Sequence, residues 1–524
     1  MSSQENISFQ EDDRERKGAF FTPRIWVELS QKYIADVLGE DWQNEYYVWD
    51  CAAGTGNLLA GLTNKYHIWA STIDKADVDI MHDRIDNGAN LLHDHVFQFD
   101  FLNDEFDKLP KGLQDIINDP KRRKKLIVYI NPPYGECGWA DDAGQNNKFG
   151  IANTNKIHEK YTDVLKKASR ELYALFFIRI YKEIQDCKIA NFSKLKALSS
   201  PNFAGFRDMF RAKLKKLFVV PSSTFDNVSG HFPIGFFFWD TEKKEKFRRI
   251  TADVFDKNGD KIGKKKFFCY DNEKGFINDW IACREQQGET IGALSCKLND
   301  FQNAKMVYVA NTKERLPVGA KGIDITSKNL IQSCVYFAVR KVILADWLND
   351  RDQFLYPNDG WETDKEFQND CLTYTLFNNN IQSRHGVNHW IPFLEHEVEA
   401  RDQFESHFVM SFISGKLIQN GYSNLFEQEG NKPFKKRKFS AEAKAVFAAG
   451  RKLWTYYHAQ KKANVNASLY DIREHFQGRN ANGKMNNKSN DETYNALIAD
   501  LRSTLKVLAV KIEPKVYEYG FLKQ

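Results

Sequence analysis

The chain opens as an alternation of short apolar runs with clusters of glycine, proline and acidic residues, the rhythm of buried strands ended by turns. In the N-terminal half, Tyr46-Tyr-Val-Trp49, Tyr66-His-Ile-Trp-Ala-Ser-Thr-Ile73, Val96-Phe-Gln-Phe99 and Leu126-Ile-Val-Tyr-Ile130 read as strands, and Leu58-Leu-Ala-Gly-Leu62 reads as helical. Further on the runs are more mixed: Lys265-Lys-Phe-Phe-Cys-Tyr270 and Lys305-Met-Val-Tyr-Val-Ala310 are strand-like, and Val335 to Trp347 is apolar and helical. Beyond Ser440 the period becomes helical. Tyr494, Leu497, Ile498, Leu501, Leu505 and Leu508 share one face behind a cap at Asn490-Asp491, and Leu469, Ile472 and Phe476 form a shorter stripe ended by Gly478.

Asn131-Pro132-Pro133-Tyr134 directly follows the fourth run and caps the end of a buried strand, where open α/β sheets put their chemistry. Pro132 has no N–H and a fixed φ, and it pushes Asn131 out of the helical region, so this backbone is extended and stiff. The Asn131 amide oxygen and the Pro132 carbonyl can accept from one amino group, with the Tyr134 ring beside it. An exocyclic amine on a nucleobase is a poor nucleophile because its lone pair is delocalised into the ring. Two acceptors on its N–H bonds favour a more tetrahedral nitrogen, whose lone pair turns toward an electrophile held opposite. Taken alone, the same four residues also describe an ordinary rigid turn.

The electrophile needs its own site. Asp50-Cys51-Ala52-Ala53-Gly54-Thr55-Gly56-Asn57 follows the first strand as a glycine turn that a ligand can approach closely, without the third glycine of a dinucleotide fingerprint. The second strand ends at Asp74, at the spacing of an acid that binds ribose hydroxyls, and the third ends in Asp100-Phe101.

In this order the pieces resemble the γ class of amino-directed DNA methyltransferases over residues 17–240. The resemblance implies a doubly wound, mostly parallel α/β sheet of the Rossmann-like methyltransferase type, with S-adenosylmethionine as cofactor. Within Gly18-Ala-Phe-Phe-Thr22-Pro23 it makes Phe21, Thr22 and Pro23 a cofactor motif, with Thr22 at the methionine carboxylate. It puts Asp50, Gly54 and Gly56 around the amino-acid moiety, Asp74 on the ribose, and Asp100 and Phe101 on the adenine. Asn131, Pro132, Pro133 and Tyr134 would hold a flipped adenine for methylation at N6; N4 of cytosine is the minority reading. Lys216 to Phe225 and Phe232 to Trp239 resemble the last two strands, with Phe225 stacking on the base and Phe232 in reserve. Cys51-Ala52-Ala53 departs from the bulkier or proline-containing turn usual in the family.

The length of 524 residues implies two or three domains, and 42% hydrophobic content is enough for real cores. The expected division is a loose segment 1–16, a catalytic domain 17–240, a mixed α/β target-recognition region 241–439 and a helical, DNA-clamping region 440–524. The start is polar without a basic-then-apolar signal, no run approaches a membrane span, and the eight cysteines form no Cys-x-x-Cys pair. The expectation is therefore a cytoplasmic protein of bacterial or phage type. Neither a disulfide framework nor a metal is called for, and His93-Asp-His95 reads as ordinary surface. Too few residues precede Gly18 for a fused nuclease, so a restriction endonuclease is expected as a separate partner, if any.

Net charge is only +5, so contacts to double-stranded DNA must be local. Lys435, Lys436 and Arg437, interleaved with Phe434 and Phe439, are candidates for phosphate contact. So are Arg479, Lys484 and Lys488 in the Gly/Asn-rich loop 478–490, and Arg384 beside Asn378-Asn-Asn380, His385 and Asn388. Each segment reads equally well as a solvated connection. The segment Gly135 to Asn155 is a candidate lid over the base. Other classes stay open: methylation of RNA or of a protein glutamine amide, or a non-catalytic DNA-binding relative.

Overall fold

The computed structural model describes residues 22–135, 155–225, 230–271, 274–282, 288–417 and 434–524. Residues 1–16, Phe21 and 136–154 of the candidate lid lie outside the described residues. The chain forms two compact units, residues 1–271 with 346–351, and residues 272–345 with 352–524.

The first unit is built on a nine-stranded sheet: β1 (Tyr47–Asp50), β2 (Ile68–Thr72), β3 (Val96–Gln98), β4 (Leu126–Ile130), β5 (Lys188–Lys194), β6 (Ala212–Pro221), β7 (Pro233–Lys244), β8 (Arg249–Phe255) and β9 (Lys261–Phe268). Their spatial order is 3-2-1-4-5-7-6-8-9. β1 to β5 run parallel, and β7 lies antiparallel between β5 and β6. Every residue of β2 and β4 is buried, as a parallel sheet covered on both faces requires. This is the doubly wound, mostly parallel α/β sheet that the resemblance implies. The sheet continues past residue 240, because Ala252, Val254 and Phe255 of β8 carry its buried face onward.

Helix α1 (Arg24–Leu38) buries Trp26, Val27, Ser30, Tyr33 and Ile34, one face of a 3.6-residue period. Ser30 Oγ meets Tyr129 Oη of β4 at 2.5 Å, and Trp26 Nε1 donates to Thr224 Oγ1 at 2.9 Å. These bonds fix the segment that begins at Thr22 against the sheet. Helix α2 (Lys75–Asp86) follows β2, and α3 (Leu172–Glu183) precedes β5. The helix read at Leu58–Leu62 is only a 3-10 turn, Asn57–Leu59. The backbone leaves the turn at Ala60, with ψ 134°, and Gly61 follows at φ +87°, so no second turn forms to offset nucleation.

The second unit carries a three-stranded antiparallel sheet of β10 (Gly292–Cys296), β11 (Val309–Ala310) and β12 (Lys321–Ile325). The strand read at Lys305–Ala310 shrinks to β11, because Asp300 caps a 3-10 stretch over Phe301–Met306 by accepting from Asn303 N. Around the sheet lie α4 (Leu330–Val339), α5 (Lys365–Leu376), α6 (Ala441–His458), α7 (Leu469–Gln477) and α8 (Glu492–Glu518). The carboxylate of Asp491 caps α8 by accepting from Tyr494 N, and the stripe from Tyr494 to Leu508 is its buried face, with Leu497 half-buried. No described helix is long and apolar enough to cross a membrane.

Candidate functional site

The strand order reverses between β1, which leads outward to β2 and β3, and β4, which leads the other way to β5. Such a switch point leaves a crevice beyond the carboxyl ends of the two strands. Asp50 is the last residue of β1 and Asn131 follows β4 directly. A cavity of about 280 Å³ opens there, and Thr22, Asp50, Gly54, Asp74, Asp100, Phe101, Asn131 and Pro133 all line it. Residues from five separate stretches of sequence converge on one space.

Each wall has a physical support. Asn131 Nδ2 donates to Thr22 Oγ1 at 2.9 Å, joining the two ends of the site. Asp74 opens α2 and is half-exposed at the rim. Asp100 accepts from the backbone N–H groups of Leu102 and Asn103, which fixes the turn carrying Phe101. Phe101 stacks on Phe176 at 4.9 Å and 16°.

The residues fit S-adenosylmethionine on two observations. Gly54 stands at φ +51°, and a Cβ there would meet no atom within 4 Å, so the turn leaves open space that a side chain would enter. The Thr55 hydroxyl is buried at the cavity and has no hydrogen-bond partner among the described residues. A ligand with polar atoms at that turn would satisfy it.

Asp50 is 1% exposed, and burial pushes its carboxyl up to about 7 against the opposing N–H of Ala52 at 3.0 Å. A folded pKa above the ordinary 3.8 means that the folded state resists ionisation, so stability present at low pH is lost between about 4 and 7. We therefore expect the melting-temperature gap between Asp50→Asn and wild type to open in favour of the variant across that window and stay flat above it. Thermal melts of the cofactor-free proteins from pH 4 to 8 measure this.

Several expected residues stand back from the lining. Pro23 is the N-cap of α1, its carbonyl accepting from Trp26 and Val27 N–H. Gly56, at φ +83°, lets the turn pack on α2, where a Cβ would sit 3.2 Å from Met81 Sδ. Pro132 is buried. Tyr134 and Phe225, expected to flank a base, are 5% and 2% exposed and belong to one apolar cluster with Phe192, Phe218 and Phe236. Phe225 packs edge-on to Phe192 at 5.9 Å, and the Tyr134 hydroxyl donates to Asn131 Oδ1 at 2.5 Å. Phe232, the reserve, is half-buried with Lys194 Nζ 5.8 Å from its ring.

Two arginines that the sequence reading passed over hold the walls. Arg84 of α2 donates to the Thr55 carbonyl at 2.6 Å and Asn57 Oδ1 at 2.9 Å, clamping the glycine turn. Arg179 of α3, 2% exposed, donates to the carbonyls of Phe101 and Asp104 and pairs with Glu183 at 2.8 Å. A lone arginine inside the apolar run Leu172-Tyr-Ala-Leu-Phe-Phe-Ile-Arg-Ile180 was the available signal.

The second unit separates the expected DNA contacts. Lys435, Lys436 and Arg437 line a cavity of about 940 Å³ with Phe412, Phe434 and Phe439, and the Arg437 guanidinium lies 4.7 Å from the Phe412 ring. Arg384 and Arg479 both pair with Glu474, so the two loops that carry them meet on one face of that unit. Lys484 and Lys488 are exposed.

Residues 7–203 match the family model N-6 DNA Methylase. No curated protein matches the chain. Solved structures that resemble it include a DrdV–DNA complex, at 14% identity over 48% of this chain and 28% of the other with a TM-score of 0.35. Another is the methyltransferase subunit of a type I restriction-modification system from Streptococcus thermophilus, at 14% identity over 48% of this chain and 50% of the other, TM-score 0.32. A third is a modification subunit of a putative type I restriction enzyme from Vibrio vulnificus, at 14% identity over 49% of this chain and 53% of the other, TM-score 0.31. The chain thus spans about half the length of the two subunits and less of the first. The segment matched by the family model contains β1 to β5 and every expected cofactor residue.

Proposed function

We propose that the chain transfers a methyl group from S-adenosylmethionine to the N6 amino group of an adenine turned out of double-stranded DNA. The observation that carries this reading is the convergence of Thr22, Asp50, Gly54, Asp74, Asp100, Phe101 and Asn131 on one cavity at the switch point of the sheet. The match of residues 7–203 to the N-6 DNA Methylase family model supports it.

When bound, S-adenosylmethionine supplies an electrophilic methyl group. Asp50 would hold its positive amino group, Asp74 its ribose hydroxyls, Asp100 and the Phe101 ring its adenine, and Thr22 its carboxylate. Asn131 Oδ1 accepts from the Tyr134 hydroxyl, a bond that the target amine would replace. This oxygen and the Pro132 carbonyl would accept from the target amine and turn its lone pair toward the methyl group. Alignment supplies much of the rate, and no covalent nucleophile is needed. Admitting a base between Tyr134 and Phe225 requires the Tyr134 ring to leave the apolar cluster and its hydroxyl to release Asn131. Extruding the base costs a few kcal/mol, which contacts from the remaining chain would offset. A restriction endonuclease as partner belongs to the same reading.

The test is label transfer from S-adenosylmethionine to duplex DNA, RNA and protein offered in parallel to the purified chain, followed by nucleoside analysis. Label in N6-methyladenine from DNA is expected. Label confined to RNA or to protein glutamine, or none with any acceptor, refutes the proposal.

A further inference from the structure

We propose that the hairpin of residues 478–488 enters the major groove of duplex DNA and reads it, an inference resting on the DNA substrate proposed above. Asn480-Ala-Asn-Gly483 forms the turn: Gly483 N donates to the Asn480 carbonyl at 2.9 Å and Asn480 N to the Lys484 carbonyl at 2.8 Å. Gly483 lies at φ +72°, a left-handed glycine that closes the turn, and Arg479 pairs antiparallel with Met485.

The foot of the hairpin is pinned to the helices. Gln477 and Asn486 exchange bonds between side chain and carbonyl at 2.6 and 2.9 Å, and Tyr494 Oη of α8 donates to Gln477 Oε1 at 3.0 Å. Arg479 donates to Glu474 at 2.6 Å, to the Gly483 carbonyl at 2.6 Å and to Tyr470 Oη at 2.9 Å. Its guanidinium is a brace for the hairpin rather than a hand for a ligand. A hairpin set in advance loses little entropy when it docks.

What remains outside is polar and uncommitted. The side chains of Asn482, Lys484, Asn487 and Lys488 are exposed and make no hydrogen bond or ion pair among the described residues. Glu474, the acid nearest the brace, is matched by Arg384 and Arg479, so the net charge of the hairpin is positive. The similar-looking segment 378–388 differs: Asn378 and Asn379 bond the last carbonyls of α5, and Asn388 is buried on the Asn466 carbonyl and Trp390 N. A two-stranded ribbon is one of the two elements that the major groove admits, asparagine pairs bidentately with adenine, and lysine serves guanine or phosphate. A protein partner would want an apolar anchor, and Ala481 is the one apolar residue at the exposed tip.

The experiment uses the full chain and random-sequence DNA duplexes, with binding followed from low to high salt. Lys484→Ala with Lys488→Ala should weaken binding across all sequences and reduce the slope of log affinity against log salt by about 1.8, about 0.9 for each lost phosphate contact. Asn482→Ala with Asn487→Ala should change the sequences retained from the pool, relaxing at least one position by roughly tenfold or more. Both pairs should melt like wild type. Unchanged slope and unchanged sequence preference in well-folded variants would overturn the proposal, as would wild-type binding confined to RNA or single strands. Wild type that binds duplex through the hairpin yet transfers no methyl group would sink the proposed reaction and leave the hairpin's role standing.

Discussion

On the proposed reaction, Asn131→Ala should lower methyl transfer to DNA by about 100- to 1,000-fold in kcat, the range seen when one preorganised polar group at a reacting centre is removed. Cofactor affinity should stay within a few-fold, because Asn131 is assigned to the target amine and is tied to the cofactor residues by its bond to the Thr22 hydroxyl. Single-turnover label transfer and calorimetric titration of S-adenosylmethionine separate the two quantities. Tyr134→Phe makes the comparison sharper. It removes the hydroxyl that donates to Asn131 Oδ1 while leaving a ring, so it should retain far more activity than Asn131→Ala. Equal activity of Asn131→Ala and wild type would mean that the strand tip does no chemistry.

Arg179→Ala should destabilise the first unit by about 3–5 kcal/mol, the usual consequence of removing one partner of a buried charged network. Its guanidinium serves the carbonyls of Phe101 and Asp104 and the Glu183 carboxylate, and it lies 5.1 Å from the Phe101 ring and 4.5 Å from the Phe106 ring. Removing it strands the two carbonyls and loosens the wall that carries Phe101, so cofactor affinity should fall together with the melting temperature. Arg179→Lys should not restore either, because a single ammonium cannot reproduce the planar fork. Thermal melts with and without S-adenosylmethionine check both effects. A fully stable alanine variant would show that the arginine is no brace.

Much of the site was legible because its logic is local. Five consecutive apolar residues at Leu126–Ile130, stopped at once by Asn131-Pro132-Pro133, read as a strand buried on both faces, and the two prolines stiffen the backbone beyond its end. Asp50, Asp74 and Asp100 were found because each stands at or just past the end of such a run, and strand ends in a parallel sheet share one edge. The braces were not legible. Arg84 and Arg179 reach the site from helices whose approach depends on the whole sheet, and nothing in their own neighbourhoods names Thr55 or Phe101 as partners.

The aromatic pair shows the same division. The expectation that Tyr134 and Phe225 flank a target base follows from motif order, but their burial depends on Phe192, Phe218 and Phe236, which other strands supply. The asparagine-rich loops make the point again, since 378–388 and 478–490 are alike in composition. Their hydrogen-bond partners distinguish them: Asn378, Asn379 and Asn388 are committed to backbone, whereas the side chains of Asn482 and Asn487 face outward.

By itself, then, the sequence determined the alternating strands and turns, the glycine bend, the acids at strand ends and the rigid Asn131 tip, because periodicity and backbone restriction act over a few residues. Tertiary structure alone decided which of these share a cavity, which rings are covered, and which arginines and asparagines hold the scaffold and which face outward. Burial and hydrogen-bond partnership are properties of neighbours in space, and the chain brings those neighbours from far along its length.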